Sequence, residues 1–213
     1  MLILDLCGGS GSWSQPYKDA GYDVIVVDPI VGTGHVQDFI VPADVHGILA
    51  APPCTEFSQA GARWWKRKAA TKPYLLADAV DTVNACMDII RAAKPKWWAL
   101  ENPLGRITTY LGNPAWRFHP WEYGDPWQKR TCIWGEHVIP TKTPIKWPPS
   151  GTRPAGPLLL LSPKPTRKQI ELLVSWGMVP TDWEKRWGPT PSRELLRSLT
   201  PPKFAAAFFK ANP

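Results

Sequence analysis

Leu49-Ala-Ala-Pro-Pro-Cys-Thr-Glu-Phe-Ser58 decides how the rest of this chain is read. Val45 to Ala51 is a short apolar run with one glycine, and it reads as a buried strand. Pro52 and Pro53 end that run, because proline has no N–H to give a ladder. Cys54 follows at once. Open α/β sheets bind their ligands outside the carboxyl ends of the strands, so a thiol here would stand at the ligand edge. A plainer reading makes Cys54 a small buried hydrophobe beside a proline turn. The choice between the two rests on what the rest of the chain brings to the same edge.

On the amino side, Leu2 to Leu6 is a strand, and Cys7-Gly-Gly-Ser-Gly-Ser-Trp13 is a tight glycine turn. The residues from about Ser12 to Ala20, closed by Gly21, read as a helix, and Asp23 to Asp28 is a buried strand ending on a carboxylate. This is a βαβ unit whose glycines let the backbone approach a ligand, with Asp28 placed to accept from ribose hydroxyls. Gly9 and Gly11 are present but the third glycine of a dinucleotide fingerprint is missing, which favours a smaller nucleoside ligand. Gly32 to Pro42 is loop-like. Within it, Asp38 and Phe39 suit either a contact with a purine or a simple turn.

On the carboxyl side, Thr55 to Lys72 reads as a long polar loop holding Arg63-Trp-Trp-Lys-Arg-Lys68. Indoles that stack on bases, beside cations that hold phosphates, suit a nucleic-acid contact. Leu75, Leu76, Ala79, Val80, Val83, Met87 and Ile90 recur at helical spacing, so Pro73 to Ala93 is an amphipathic helix with Cys86 and Met87 in its core stripe. Trp97 to Leu100 is the next strand and runs into Glu101-Asn102-Pro103, which brings an ionisable group to the edge that carries Cys54. Thr131 to Trp134 is a further strand with Lys129 and Arg130 at its mouth. Gln128 and Arg130 alternate onto one face there, which suits an oxygen acceptor. Ile139 to Pro165 is proline-rich and irregular. Thr166 to Trp176 is a helix, and Ser192 to Lys210 closes the chain with a helical Phe204-Ala-Ala-Ala-Phe-Phe209.

At 213 residues and 44% hydrophobic content the chain suits one large domain with a small appendage. It has no apolar run long enough to span a membrane and no secretory leader, so a cytoplasmic setting with reduced Cys7, Cys54, Cys86 and Cys132 is expected. No CxxC pair occurs, and no zinc site is expected. The net charge is +7, and Arg153 to Pro213 holds 10 basic against 4 acidic residues. That imbalance is compatible with a polyanionic partner and equally with a solvated face.

Asp-Leu-x-Gly-Gly-x-Gly, a strand-end Asp, Pro-Pro-Cys-Thr-Glu-Phe-Ser, Glu-Asn-Pro and Gln-x-Arg stand in one order from Ile3 to Gly135. In this the chain resembles the DNA cytosine-5 methyltransferases, particularly their compact phage and prophage members. The resemblance implies the Rossmann-like, doubly wound α/β sheet of the class I S-adenosylmethionine-dependent methyltransferases, with a small irregular Pro/Trp-rich appendage. It implies a catalytic domain over 1–135, a reduced target-recognition region over 136–191, and a C-terminal helix over 192–213 returning to the catalytic domain. Cys54, Glu101 and Arg130 become the catalytic residues. S-adenosylmethionine becomes the cofactor, held by Asp5, Cys7, Gly8, Gly9, Gly11, Asp28, Asp38, Phe39 and Pro52. DNA becomes the partner, met by Ser58, Arg63, Lys66, Arg67, Lys68 and Gln128, with the protein a monomer in a bacterial cytoplasm. The alternatives are an enzyme of the same fold that acts on RNA cytosine or transfers a group other than methyl, and a catalytically silent nucleic-acid-binding relative. Two departures from the family pattern are Pro103 after Glu101-Asn102, where Val is common, and Cys132, where Arg is common.

Overall fold

Short apolar runs with helical stretches between them make parallel strands that need cover on both faces. The computed structural model describes residues 1–126, 128–145, 164–175 and 177–213. In chain order these form β1 (Leu2–Leu6), α1 (Gln15–Asp19), β2 (Asp23–Val27), β3 (Val45–Ala50), α2 (Ala62–Thr71), α3 (Tyr74–Ala93) and β4 (Trp97–Pro103). They continue with α4 (Thr108–Leu111), β5 (Trp116–Phe118), β6 (Thr131–Glu136), α5 (Arg167–Ser175), α6 (Trp183–Trp187), α7 (Arg193–Ser198) and α8 (Pro202–Ala211). The six strands make one sheet in the order β2-β1-β3-β4-β6-β5. The first four are mutually parallel, while β6 runs antiparallel to both β4 and β5. This is the doubly wound α/β arrangement that the motifs imply.

Alternation along the strands divides the core in two. Leu4, Leu6, Ile48, Ala50 and Leu100 face α3 and pack on its Val83, Cys86, Ile89 and Ile90. Ile3, Leu49 and Ala99 share the other cluster with Trp13 and Tyr17 of the α1 segment and with Phe204 and Phe208 of α8. Phe118 and Phe204 stack at 4.0 Å between centroids, and Phe209 meets Tyr17 edge-on at 4.9 Å. The closing helix is therefore the second cover of the sheet. A third cluster, Ile170, Leu173, Met178, Val179, Trp183, Leu196 and Leu199, is enclosed by α5, α6 and α7.

Several elements differ from the sequence reading. Thr55 to Lys72 is not a loop: most of it is α2, built from Ala, Lys and Arg, which are strong helix formers. Its inward contacts are made by Trp65 and Lys68, so it lacks the aliphatic stripe that marks α3. The first helix is shorter than Ser12 to Ala20, because the glycine turn extends through Ser14, whose hydroxyl bonds to Asp5. Glu101 and Asn102 lie within β4 and not beyond its end. The helix expected over Thr166 to Trp176 is α5, whereas α6 falls in a part of the 136–191 stretch for which no helix was expected. Positions 146–163 of the expected irregular segment, together with Trp127 and Trp176, lie outside the described residues. Among the described residues no helix is long and apolar enough to cross a membrane.

Phe204 is fully buried among Trp13, Trp116, Phe118, Tyr123 and Phe208. Phe204→Ala should cost about 3–5 kcal/mol in urea denaturation, and a loss under about 1 kcal/mol would show that α8 does not carry this face.

Candidate active site

Residues Gly47 to Ala50 of β3 pair with Trp97 to Leu100 of β4, and Ala51 N–H extends the ladder to Leu6 O at 2.9 Å. Pro52 is buried, and its carbonyl accepts from Asn102 Nδ2 at 2.8 Å. Beyond it the chain turns tightly, with Phe57 N–H and Ser58 N–H both donating to Cys54 O at 3.0 and 2.9 Å. Phe57 is fully buried and anchors the turn. A bridge between Ser58 and Gly105 and a 3.0 Å bond from Arg106 N–H to Phe57 O fasten the turn to the loop after β4. The approach is so close that a Cβ on Gly105 would lie 1.9 Å from Phe57 O, so only glycine fits. Cys54 is solvent-exposed. The reading of it as a small buried hydrophobe is thereby excluded.

Glu101 comes from β4 with its side chain 17% exposed. Its Oε1 is buried, makes no hydrogen bond among the described residues, and has Lys129 Nζ at 3.7 Å. Because β6 runs against β4 with Pro103 opposite Thr131, residues 128–130 fall just past the carboxyl end of β4. Gln128 and Lys129 are half-buried there and Arg130 is exposed. Cys54, Glu101 and Arg130 thus reach one sheet edge from the neighbouring strands β3, β4 and β6. That edge carries a thiol, a carboxylate and a guanidinium.

The glycine turn occupies the same edge at β1. Asp5 is fully buried beneath it, with Ser14 Oγ–H donating to Oδ2 while Oδ1 has no partner. Burial pushes the Asp5 carboxyl up to about 6, against the lowering pull of Ser14 and Lys18. Gly8 crosses directly over this carboxyl, so a Cβ there would sit 2.4 Å from Asp5 Cγ. Asp28 accepts from Gly9 N–H at 2.9 Å and from Ile30 N–H at 2.8 Å. A carboxylate has about four acceptor sites, so Asp28 can brace the turn and still take ribose hydroxyls. The Cys7 thiol is turned toward the core, 4.0 Å from Cys86 Sγ. The contact with Cys86, and then burial, raise it far above an ordinary thiol, so Cys7 offers a ligand its main chain and not its sulfur. Asp38 is exposed on a 3-10 turn, and Phe39 packs half-buried against the core.

Helix α2 presents Arg63, Lys66 and Arg67 to solvent. Trp64 is 45% exposed, with the Arg63 and Arg67 guanidinium carbons 5.1 and 6.0 Å from its ring centre. Lys68 departs from the expected set: it turns inward and ion-pairs with Glu56, so its charge is already committed. Ser58, half-buried, is held in the bridge to Gly105. The motif reading assigns no role to Asn102, Lys129, Glu56 or Arg106, all of which shape this edge. Only their adjacency to Glu101, Arg130 and Cys54 could have singled them out.

Residues 32–113, a segment containing Cys54 and Glu101, match the family model described as C-5 cytosine-specific DNA methylase. The type II methyltransferase M.DdeI of Desulfomicrobium norvegicum is 27% identical over 134 residues, covering 51% of this chain and 29% of that protein. The Entamoeba histolytica methyltransferase EhMeth superposes with a TM-score of 0.45 at 14% identity, over 76% of this chain and 60% of that one. A protein described as a DNA modification methyltransferase encoded within an E. coli prophage superposes with a TM-score of 0.41 at 15% identity, over 62% and 45%. The chain spans less than a third of the length of the curated relative it matches. Over the matched segment the resemblance to the DNA cytosine-5 methyltransferases stands.

The buried Asp5 carboxyl yields a test of the turn. Its folded value of about 6 lies above the ordinary 3.8, so the native state holds this proton more tightly than the unfolded chain. The contribution is present in full below about pH 4 and is lost as pH rises through about 6, a loss on the order of 3 kcal/mol at most. Asp5→Asn keeps an acceptor for Ser14 and removes the slope. Urea denaturation should show the variant gaining on the wild type between about pH 4 and pH 7, and parallel curves would refute the assignment.

Proposed function

We propose, for a chain whose residues 32–113 match the C-5 cytosine-specific DNA methylases, that it transfers a methyl group from S-adenosylmethionine to C5 of cytosine in DNA through a covalent adduct on Cys54. The observation that carries this reading is the convergence of an exposed Cys54, a poorly satisfied Glu101 and Arg130 on one edge of the sheet.

The donor's fit rests on the turn over Asp5: a glycine-lined backbone packed directly on the Asp5 carboxyl at Gly8, and a bracing carboxylate at Asp28. Gly8, Gly9 and Gly11 with the Cys7 main chain would hold it, Asp28 its ribose, Asp38 and Phe39 its adenine, and Pro52 its reactive end. When bound, this sulfonium compound supplies an electrophilic methyl group.

Cytosine C5 is a poor nucleophile until something adds at C6. The Cys54 thiolate forms the S–C6 bond and drives the ring's electron pair onto C5. Glu101 grips N3 and the exocyclic amine and delivers a proton as charge builds on the ring. Arg130 and Gln128 steady the base and its adduct. Once C5 is methylated, its proton leaves to water, the C5–H electron pair re-forms the C5–C6 double bond and expels the Cys54 thiolate, and N3 returns its proton to Glu101. Lys129 yields the buried oxygen of Glu101 when the base enters. Taking the cytosine out of the duplex costs a few kcal/mol, offset by stacking on Trp64 and phosphate contacts from Arg63, Lys66, Arg67 and Ser58. In this reading residues 1–135 form the catalytic domain, 136–191 read few bases, and 192–213 return to brace the sheet.

Trapping on 5-fluorocytosine decides the matter, because a competent thiol then leaves a stable covalent complex. With donor present, wild type should form that complex on duplex DNA. Cys54→Ser should form none, and Glu101→Gln should form it about 100-fold or more slowly. Trapping on RNA in place of DNA would move the reading to an RNA substrate, and trapping on neither would overturn it.

A further inference from the structure

We infer that Glu56 is a positioning residue, a two-sided clamp that fixes helix α2 and the Gly105–Arg106 turn to the loop bearing Cys54. Its catalytic consequence rests on the cytosine-5 reading above, whereas the clamp itself does not.

Glu56 stands two residues beyond Cys54 and is buried, with 8% of its side chain exposed. A carboxylate in such a place must be paired, because the desolvation penalty of a lone charge is severe. Its two oxygens face cations in different directions. Oε1 takes Lys68 Nζ from α2, while Oε2, which makes no hydrogen bond among the described residues, has Arg106 Nη2 at 3.8 Å from the loop after β4. Arg106 grips the same residue a second time, Nε–H donating to Glu56 O at 2.6 Å. The guanidinium carbon also lies 4.5 Å from the ring centre of Trp65, again on α2. One side chain therefore joins three segments: the nucleophile's turn, the helix with the exposed cations, and the strand end that carries Glu101.

Backbone bonds also join the Cys54 turn to its neighbours: Ser58 is bridged to Gly105, Arg106 N–H donates to Phe57 O, and Gly61 N–H, at the head of α2, donates to Ser58 O at 3.0 Å. These set the path of the loop and the entry to α2, but they stop short of the turn of the helix that carries Lys68. Attack on a ring carbon demands a thiol held within a fraction of an ångström, and Glu56 supplies the lateral support that the backbone ties leave out. The clamp also explains why Lys68 is withdrawn from the face where Arg63, Lys66 and Arg67 are exposed.

Glu56→Gln keeps the shape and deletes both ion pairs. On DNA it should lower kcat about 10- to 100-fold while leaving KM for DNA and for the donor within about twofold. Trypsin reads the clamp independently of activity, since Lys66, Arg67 and Lys68 lie on α2 and Arg91 on α3 serves as an internal reference. The ratio of cutting on α2 to cutting at Arg91 should rise about tenfold in the variant. Arg106→Lys, which keeps the cation and loses the fork, should reproduce both effects more weakly and stands in if Glu56→Gln does not fold. An unchanged cutting ratio overturns the clamp, and a kcat loss matched by an equal rise in KM overturns the positioning role. A wild-type protein that traps neither DNA nor RNA overturns the cytosine-5 reading instead, and the cutting ratio still decides the clamp.

Discussion

The buried hydrogen bond from Asn102 Nδ2 to Pro52 O is the contact on which the working edge of this protein depends. Two prolines in succession take β3 out of its ladder, which leaves a carbonyl in the interior with no strand partner. Such a group must be satisfied or the fold bears the cost of an orphaned acceptor. The satisfying amide comes from the residue directly after Glu101, so the need for a partner also sets the register between the thiol's loop and the carboxylate's strand. From that tie follow the Ser58–Gly105 bridge, the absence of any side chain at Gly105, and the Arg106 grip on Glu56. The chemistry is held in place by what the prolines took away.

Much of this was legible in the residues themselves. The strands were written as apolar runs, and each run ends on a group with chemistry: the glycine turn after Leu6, Asp28 after Val27, Cys54 after the prolines. Helical spacing identified α3. The failures share one physical cause. Where inward contacts are made by polar or aromatic groups, as with Trp65 and Lys68 on α2, no aliphatic stripe marks the inner side. The same blindness hid Asn102 and Arg106, whose roles depend on partners about 50 residues away. Lys68 was read as a cation for DNA, and its ion pair with Glu56 went unseen, because a sequence shows charge but not its counter-charge.

The two carboxylates under the glycine turn divide a task. Asp28 spends two acceptor sites on the backbone of its neighbours, which stiffens the turn. Asp5, deeper and drier, bonds to Ser14 and sits beneath Gly8 as a floor. Neither arrangement needs the Cys7 sulfur, which faces Cys86 across the core boundary. One strand end thus carries an exposed thiol, Cys54, and another a thiol shielded by Cys86 and by burial, Cys7.

The packing of α8 against the start of the chain has a consequence for biosynthesis. Trp13, Tyr17, Trp97 and Phe118 meet Phe204, Phe208 and Phe209 only after nearly two hundred intervening residues have been made in the case of Trp13 and Tyr17. A polypeptide still on the ribosome at residue 200 already holds every strand, yet one broad aromatic surface of its sheet faces water. Contacts of such long sequence separation form late and leave apolar surface open to wrong partners meanwhile. The emergence of α8 is thus the step that converts a sticky half-covered sheet into a folded molecule, and shielding of the nascent chain until that moment becomes part of how this protein is made.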